Sequence, residues 1–148
     1  LTPHPGEFAP LAASAAGAAP DDAAALESAR RRASFDTAAV VSEVANRFGA
    51  VVVLKGAATW IGDPDGRLAV WDGREPTLAT AGSGDVLAGL AGGFLARGAS
   101  AWDAAVSAVI VHGLAGRAAS ANGFYEAGAL VGEAARLSYG RTSDGNQE

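Results

Sequence analysis

Apolar and polar positions alternate in several distinct rhythms along the chain. Between Thr37 and Phe48, the residues Ala38, Val41, Val44, Ala45 and Phe48 recur at helical spacing, and Gly49 follows as a natural stop. Ala50-Val51-Val52-Val53-Leu54 is a continuous apolar run rich in β-branched residues. It predicts a strand buried on both faces, as in parallel sheets. Thr59-Trp60-Ile61 and Arg67-Leu68-Ala69-Val70-Trp71 flank Asp63-Pro64-Asp65-Gly66, a combination that predicts a β-hairpin. Arg74 to Thr80 reads as a loop. Val86, Leu87, Leu90, Phe94 and Leu95 then share one helical face and Gly98 ends the helix. Gly89, Gly92 and Gly93 each weaken that helix by up to about 1 kcal/mol relative to alanine. Close approach of a neighbouring element is the expected compensation. Ser100-Ala101-Trp102-Asp103 resembles a capping box, opening a helix to about Ser120, and a last helix is expected from about Glu126 to Leu137. Helix, glycine and buried strand in succession give an α/β rhythm.

The opening is less regular. Leu1-Thr2-Pro3 reads as the end of a strand entering a turn, and Pro3 and Pro5 push Thr2 and His4 toward extended conformations. The chain is therefore expected to begin within a domain. Glu7 to Leu11 can begin a helix. Residues 12–34 are alanine-rich with little pattern, although Pro20-Asp21-Asp22 resembles a helix start. Arg30-Arg31-Arg32 reads as a solvated helix end rather than an anion site. Gly140 to Glu148 reads as a flexible polar tail, leaving residues 1–139 as the folded unit.

Composition narrows the function classes. A chain of 148 residues is the length of one domain. A net charge of -5 leaves no basic footprint for nucleic acid, and the absence of cysteine excludes disulfides, thiol ligands and thiol nucleophiles. No apolar run approaches the roughly 20 residues of a membrane span, and the opening residues lack the pattern of a signal peptide. A cytoplasmic location with no membrane partner is expected. Alanine occurs 37 times and glycine 20 times, so the core is thin per residue and needs close backbone packing. Lysine occurs once, at Lys55, against ten arginines.

Two segments carry candidate chemistry. Ala81-Gly82-Ser83-Gly84-Asp85 immediately precedes a helix, whose first N–H groups lack partners and whose dipole adds positive potential. Glycines there admit a bulky anion, which makes the turn a phosphate cradle by physical type. A pure anion site would avoid an acid. Asp85 suits a base that takes the proton of a hydroxyl attacking a phosphoryl group held by the turn. The alternative is a helix-capping aspartate. Lys55-Gly56 directly follows the buried strand, where open α/β sheets bind ligands. It reads as a phosphate contact or as an exposed lysine opening a loop. Walker A order is missing, as is a Gly-x-Ser-x-Gly elbow, and no set of His, Asp and Glu has zinc-ligand spacing. His112 sits in an apolar helix and reads as a packed core histidine; His4, between prolines and near a carboxylate, is a candidate. Trp60, Trp71 and Trp102 read as packing residues.

Together, Thr2-Pro3-His4-Pro5-Gly6-Glu7, Val52-Val53-Leu54-Lys55-Gly56-Ala57-Ala58-Thr59 and Ala79-Thr80-Ala81-Gly82-Ser83-Gly84-Asp85-Val86-Leu87-Ala88-Gly89 resemble, in order, the ADP/ATP-dependent NAD(P)H-hydrate dehydratases. These form a carbohydrate-kinase-like branch of the ribokinase superfamily. His112-Gly113-Leu114-Ala115-Gly116 is similar to a further family segment. The resemblance implies the C-terminal portion of a ribokinase-like three-layer α/β/α fold, with a β-hairpin insertion and an incomplete sheet. It implies nucleotide-dependent dehydration of hydrated NADH or NADPH, a lyase reaction, with ADP or ATP and Mg²⁺ required. By the same resemblance, His4 and Asp85 contact the hydrated cofactor, Asp85 being catalytic. Lys55, Gly56, Ala57, Ala58, Thr59, Gly82, Ser83 and Gly84 line the nucleotide site, and Glu7 acts on the metal through water. The missing N-terminal half of the domain is an expected partner, and a homo-oligomer is expected. The alternatives are a ribokinase-type kinase of a small alcohol and a non-catalytic piece of the fold. Three departures from the family pattern stand out: Glu75-Pro76-Thr77-Leu78 replaces the usual Asn-Pro-Gly-Met, residues 12–40 are longer than usual, and the family's N-terminal half is expected to be missing.

Overall fold

The computed structural model describes residues 1–73, 75–121 and 126–139. In chain order the elements are α1 (Pro5–Ala15), α2 (Ala23–Phe35), α3 (Thr37–Phe48), β1 (Val52–Leu54), β2 (Thr59–Gly62) and β3 (Leu68–Trp71). A 3-10 turn (Pro76–Ala79), α4 (Ser83–Ala96), α5 (Ala101–Ser120) and α6 (Ala127–Tyr139) follow. No helix among the described residues is long and apolar enough to cross a membrane.

The α3 and hairpin expectations match the structure. Helix α3 ends on Gly49 in the left-handed region (φ 59°), the geometry that favours glycine at a helix end. β2 and β3 pair antiparallel with Trp60 opposite Val70. β1 is buried along its whole length, as its composition predicts. Its pairing with β2 is antiparallel, however, with Val53 opposite Ile61. Residues 55–58 are too few for the crossover that a parallel neighbour needs. The parallel neighbour lies on the other side of β1. There the Leu1 amine donates to Val51 O (2.7 Å), Val53 N–H to Leu1 O (2.7 Å) and Lys55 N–H to Pro3 O (2.9 Å).

Alternation along β1 feeds two cores. Val52 and Leu54 pack with Phe8, Ala12, Val40, Val41 and Val44 of α1 and α3, and Trp60 leans on the same cluster. Val53 and Ile61 face the opposite way, against Leu87 of α4 and Ala105, Ala108 and Val109 of α5. Helices thus cover both faces of the sheet, which is what places the ends of its strands in a cleft between layers. Leu130 and Ala134 of α6 close a third cluster on Ala115 and Ala119.

Several boundaries and contacts differ from the sequence expectations. Helix α1 starts at Pro5 under a capping box in which a histidine replaces the usual hydroxyl residue: Gly6 and Glu7 N–H donate to His4 Nδ1 (3.0 and 3.2 Å), while His4 N–H donates to Glu7 Oε2 (2.8 Å). The low-pattern segment forms α2, capped by Asp22, with Ala29 its one buried residue. Helix α4 begins at Ser83, not Val86, because Gly82 takes φ 87° and turns the chain into the helix three residues early. The close neighbour expected beside Gly89, Gly92 and Gly93 is absent among the described residues; a Cβ at any of the three would meet nothing within 4 Å. Residues 140–148, the expected tail, lie outside the described residues.

Candidate functional site

A cleft of about 800 Å³ opens at the carboxyl end of β1. Its floor carries His4, Pro5, Lys55, Gly56, Ala57 and Thr59, and the start of α4 contributes Ser83, Gly84 and Leu87. The wall between them is completed by Trp71, Gly73, Glu75, Pro76, Leu78, Ala79, Thr80 and His112. Strand ends supply the first group because β1 terminates at Leu54 and the chain must leave the sheet there.

The glycine turn is more heavily self-bonded than its sequence implies. Ser83 N–H donates to Thr80 O (3.1 Å), and the Asp85 and Val86 amides donate to Gly82 O (3.1 and 3.3 Å). Ser83 Oγ donates to Leu78 O (2.5 Å) and the Ser83 carbonyl accepts from His112 Nε2 (2.9 Å). Of the amides expected to face an anion, Ser83's is therefore occupied, while those of Gly82 and Gly84 have no partner among the described residues. Lys55 Nζ stands 3.0 Å from the point that a Cβ on Gly84 would occupy, and Lys55 makes no ion pair among the described residues. An unpaired ammonium and an unpaired N–H thus share one corner of the cleft, which is the arrangement a phosphate completes.

The structure gathers His4, Lys55, Gly56, Ala57, Thr59, Ser83 and Gly84 around this cleft and leaves Glu7, Ala58, Gly82 and Asp85 outside the lining. Asp85 is exposed on the first turn of α4, and its carboxylate has no partner among the described residues. His4 is engaged through Nδ1 in capping α1; its Nε2 lies 3.5 Å from Glu7 Oε1. The His4 backbone N–H holds the Glu7 carboxyl below its ordinary range against an opposing desolvation, and the Lys55 charge adds to the lowering. No cluster of three metal-ligating side chains occurs among the described residues. A lone acid such as Glu7 suits a cation that keeps most of its waters and is held through substrate phosphates, which is how Mg²⁺ is commonly bound.

The Glu75–Leu78 and Ala79-Thr80 segments of that wall stand in the sequence as family segments, but Trp71, read there as a packing residue, and Gly73 were not legible as part of a site. A Cβ on Gly113 would lie 2.5 Å from Trp71 Nε1, and one on Gly116 would lie 2.7 Å from Leu78 Cδ2, so α5 accepts the wall only through these glycines. Arg117 adds a hydrogen bond to Gly73 O (3.0 Å), and its guanidinium lies 5.6 Å over the Trp71 ring. The indole N–H of Trp71 is buried without a hydrogen-bond partner among the described residues. Thr77 Oγ1 donates to Glu75 Oε1 (2.5 Å), which ties the carboxylate into the 3-10 turn. The signal that could have found this wall is the pair of glycines inside an otherwise regular helix. His112 is buried, as expected of a core histidine, but it also reaches the glycine turn. Burial pushes its imidazole pKa down, and the Lys55 charge adds to this against the raising effect of the Ser83 bond.

A family model described as NAD(P)H-hydrate dehydratase matches residues 1–136. The chain belongs to the NAD(P)H-hydrate dehydratase family. A Xanthomonas campestris protein named ADP-dependent (S)-NAD(P)H-hydrate dehydratase is 44% identical over 117 residues, covering 79% of this chain and 36% of that protein. A Neisseria meningitidis protein of the same name is 37% identical over 135 residues, covering 91% of this chain and 41% of the relative. The Mycobacterium leprae protein named bifunctional NAD(P)H-hydrate repair enzyme Nnr is 39% identical over 122 residues, covering 82% of this chain and 22% of its own length. The matched part of this chain thus spans less than half of each of these dehydratase-family relatives. Family membership and the mixed helix–sheet architecture together establish the α/β class expected from the sequence.

Proposed function

We propose that this chain forms part of a nucleotide-dependent dehydratase that returns hydrated NADH or NADPH to NAD(P)H. The observation that carries the reading is the corner at Gly84, where the only lysine of the chain lies close to a residue whose backbone N–H has no partner among the described residues, beside an exposed aspartate. Family membership and the names of the relatives support the same substrate. ADP is the nucleotide named for two relatives, and ATP is the alternative.

In this reading Lys55 and the Gly84 N–H hold the terminal phosphate, while Gly56, Ala57, Ala58, Thr59, Gly82 and Ser83 shape the rest of the nucleotide site. Asp85 takes the proton of the ring hydroxyl as its oxygen attacks the terminal phosphorus, and the bond to the departing nucleotide breaks. Hydroxide is a poor leaving group and phosphate a good one. The electron pair of the ring nitrogen then expels phosphate, and loss of a ring proton restores the double bond. His4 faces the hydrated cofactor. Bound Mg²⁺ would offset phosphate charge, with Glu7 holding its water shell.

The same reading takes the fold as the C-terminal portion of a ribokinase-like three-layer domain, which the helices on both faces of the sheet support. A further part of that domain completes the cleft, and the open glycine face of α4 supports its docking there. The test is recovery of the near-ultraviolet absorbance of reduced nicotinamide when hydrated NADH meets the protein, ADP or ATP, and Mg²⁺. Asp85→Asn is expected to abolish recovery, by about 100-fold or more for a lost general base, with the fold retained. Full activity in that variant overturns the base assignment. Robust recovery by the 148 residues alone overturns the need for a completing part.

A further inference from the structure

We infer that His112 is a positioning residue that aims and strengthens the anion-binding amide of Gly84. The inference rests on the nucleotide reading of the cleft and deepens it. His112 lies on α5 at 8% exposure, with Nε2 2.9 Å from the Ser83 carbonyl oxygen. A carbonyl oxygen only accepts, so Nε2 carries the proton and the imidazole donates.

The Ser83 carbonyl and the Gly84 N–H are opposite ends of one planar trans peptide. Holding the oxygen toward α5 directs the N–H away from α5, and that N–H has no partner among the described residues. Donation to the carbonyl also polarises the peptide, which strengthens the N–H at its other end by about 10–30%. Ser83 is tied at two further points, Oγ to Leu78 O and N–H to Thr80 O, so the His112 bond completes a three-point clamp on the residue preceding Gly84. A buried, neutral imidazole performs this without adding a second positive charge beside Lys55.

Three substitutions separate this role from packing. Gln at position 112 carries an amide N–H where Nε2 stood, Asn reaches only as far as Nδ1, and Phe fills the space without a donor. The measurements are the dissociation constant for ADP and amide hydrogen exchange at Asp85 and Val86, whose N–H groups bond Gly82 O at the same turn. His112→Phe and His112→Asn are expected to weaken ADP binding about tenfold and to speed exchange at residues 85 and 86, with α3 amides unchanged, while His112→Gln stays within about twofold. Equal behaviour of the Asn and Gln variants overturns the inference. So does unchanged ADP binding in the Phe variant, or acceleration spread equally over α3. If His112→Phe does not fold, the Gln–Asn comparison decides alone. Failure of the wild-type chain to bind ADP would instead sink the nucleotide reading. The exchange arm would then still decide whether His112 clamps the turn.

Discussion

Gly113 shows how one hydrogen atom in place of a methyl group can shape the wall of a cleft. Its missing Cβ would lie 2.5 Å from the Trp71 indole nitrogen and 2.7 Å from Cε2 of the same ring, and a rigid ring cannot yield as a lysine tip can. Gly113→Ala is therefore expected to destabilise the chain by about 1–3 kcal/mol through overpacking, of which the roughly 1 kcal/mol gained in helix propensity recovers only part. A urea titration reads the loss as a lower midpoint. In a Trp71→Leu background the clash disappears, and the same substitution should become neutral or stabilising; an unchanged penalty there would show that the indole is not its source. Residue pairs of this kind escape a reading of the sequence because nothing local links position 71 to position 113. Lys55 and the glycine turn were legible for the opposite reason: each stands beside a recognisable strand or helix boundary. The internal bonds of Ser83 were not, since two of its three partners lie in the loop that precedes the turn.

At the level of elements, the strongest local patterns gave the most accurate boundaries. Helix α3 and the β2–β3 hairpin follow from apolar spacing and turn residues that act within a few positions. The start of α4 does not, because it depends on the backbone angle taken by Gly82. The hairpin turn also stores a pH dependence. Asp63 is 2% exposed; burial would raise its carboxyl pKa, but the Arg67 amide (2.8 Å) and guanidinium (2.5 Å) outweigh burial and hold it below its ordinary 3.8. A carboxyl whose folded pKa is depressed adds stability that is present above the unfolded value and lost as pH falls through the folded one. The urea midpoint should consequently drop in the wild type as pH falls through and below the ordinary carboxylate value, and drop less in Asp63→Asn. Identical drops would remove Asp63 from the acid limb. His112 adds a limb of the same sign at higher pH, since its lowered value makes protonation below its ordinary 6.5 favour the unfolded chain.

Across the described residues, stability is divided among two clusters on opposite faces of a three-stranded sheet and a third that α6 closes on α5. The cleft sits where both layers end, drawing on α1, the segment after β1, β2, β3, the 3-10 turn, α4 and α5 at once. A ligand seated there ties the layers together. Binding to the folded chain alone contributes about 2.7 kcal/mol at a hundred times the dissociation constant, so saturating ADP is expected to raise Tm by several degrees. Lys55→Met should abolish that shift while leaving the unliganded Tm nearly unchanged, because the ammonium makes no ion pair among the described residues. A shift that survives in the variant would place the phosphates elsewhere. The three helices packed on one face and the two on the other were foreseen only as an α/β alternation; which helix meets which face follows from the direction of alternate β1 side chains, a choice that periodicity alone leaves open.

Lysine occurs once in this chain, and it occurs at the cleft. A reagent that acylates lysine side chains accordingly modifies one such position, and that position is the one facing the glycine turn. Neutralising that ε-amine, by acetylation in a cell or by carbamylation on storage in urea, would remove the one lysine charge at the cleft in a single event. Batch-to-batch loss of anion affinity in an otherwise well-folded preparation would then be traceable by mass spectrometry to one added acyl group.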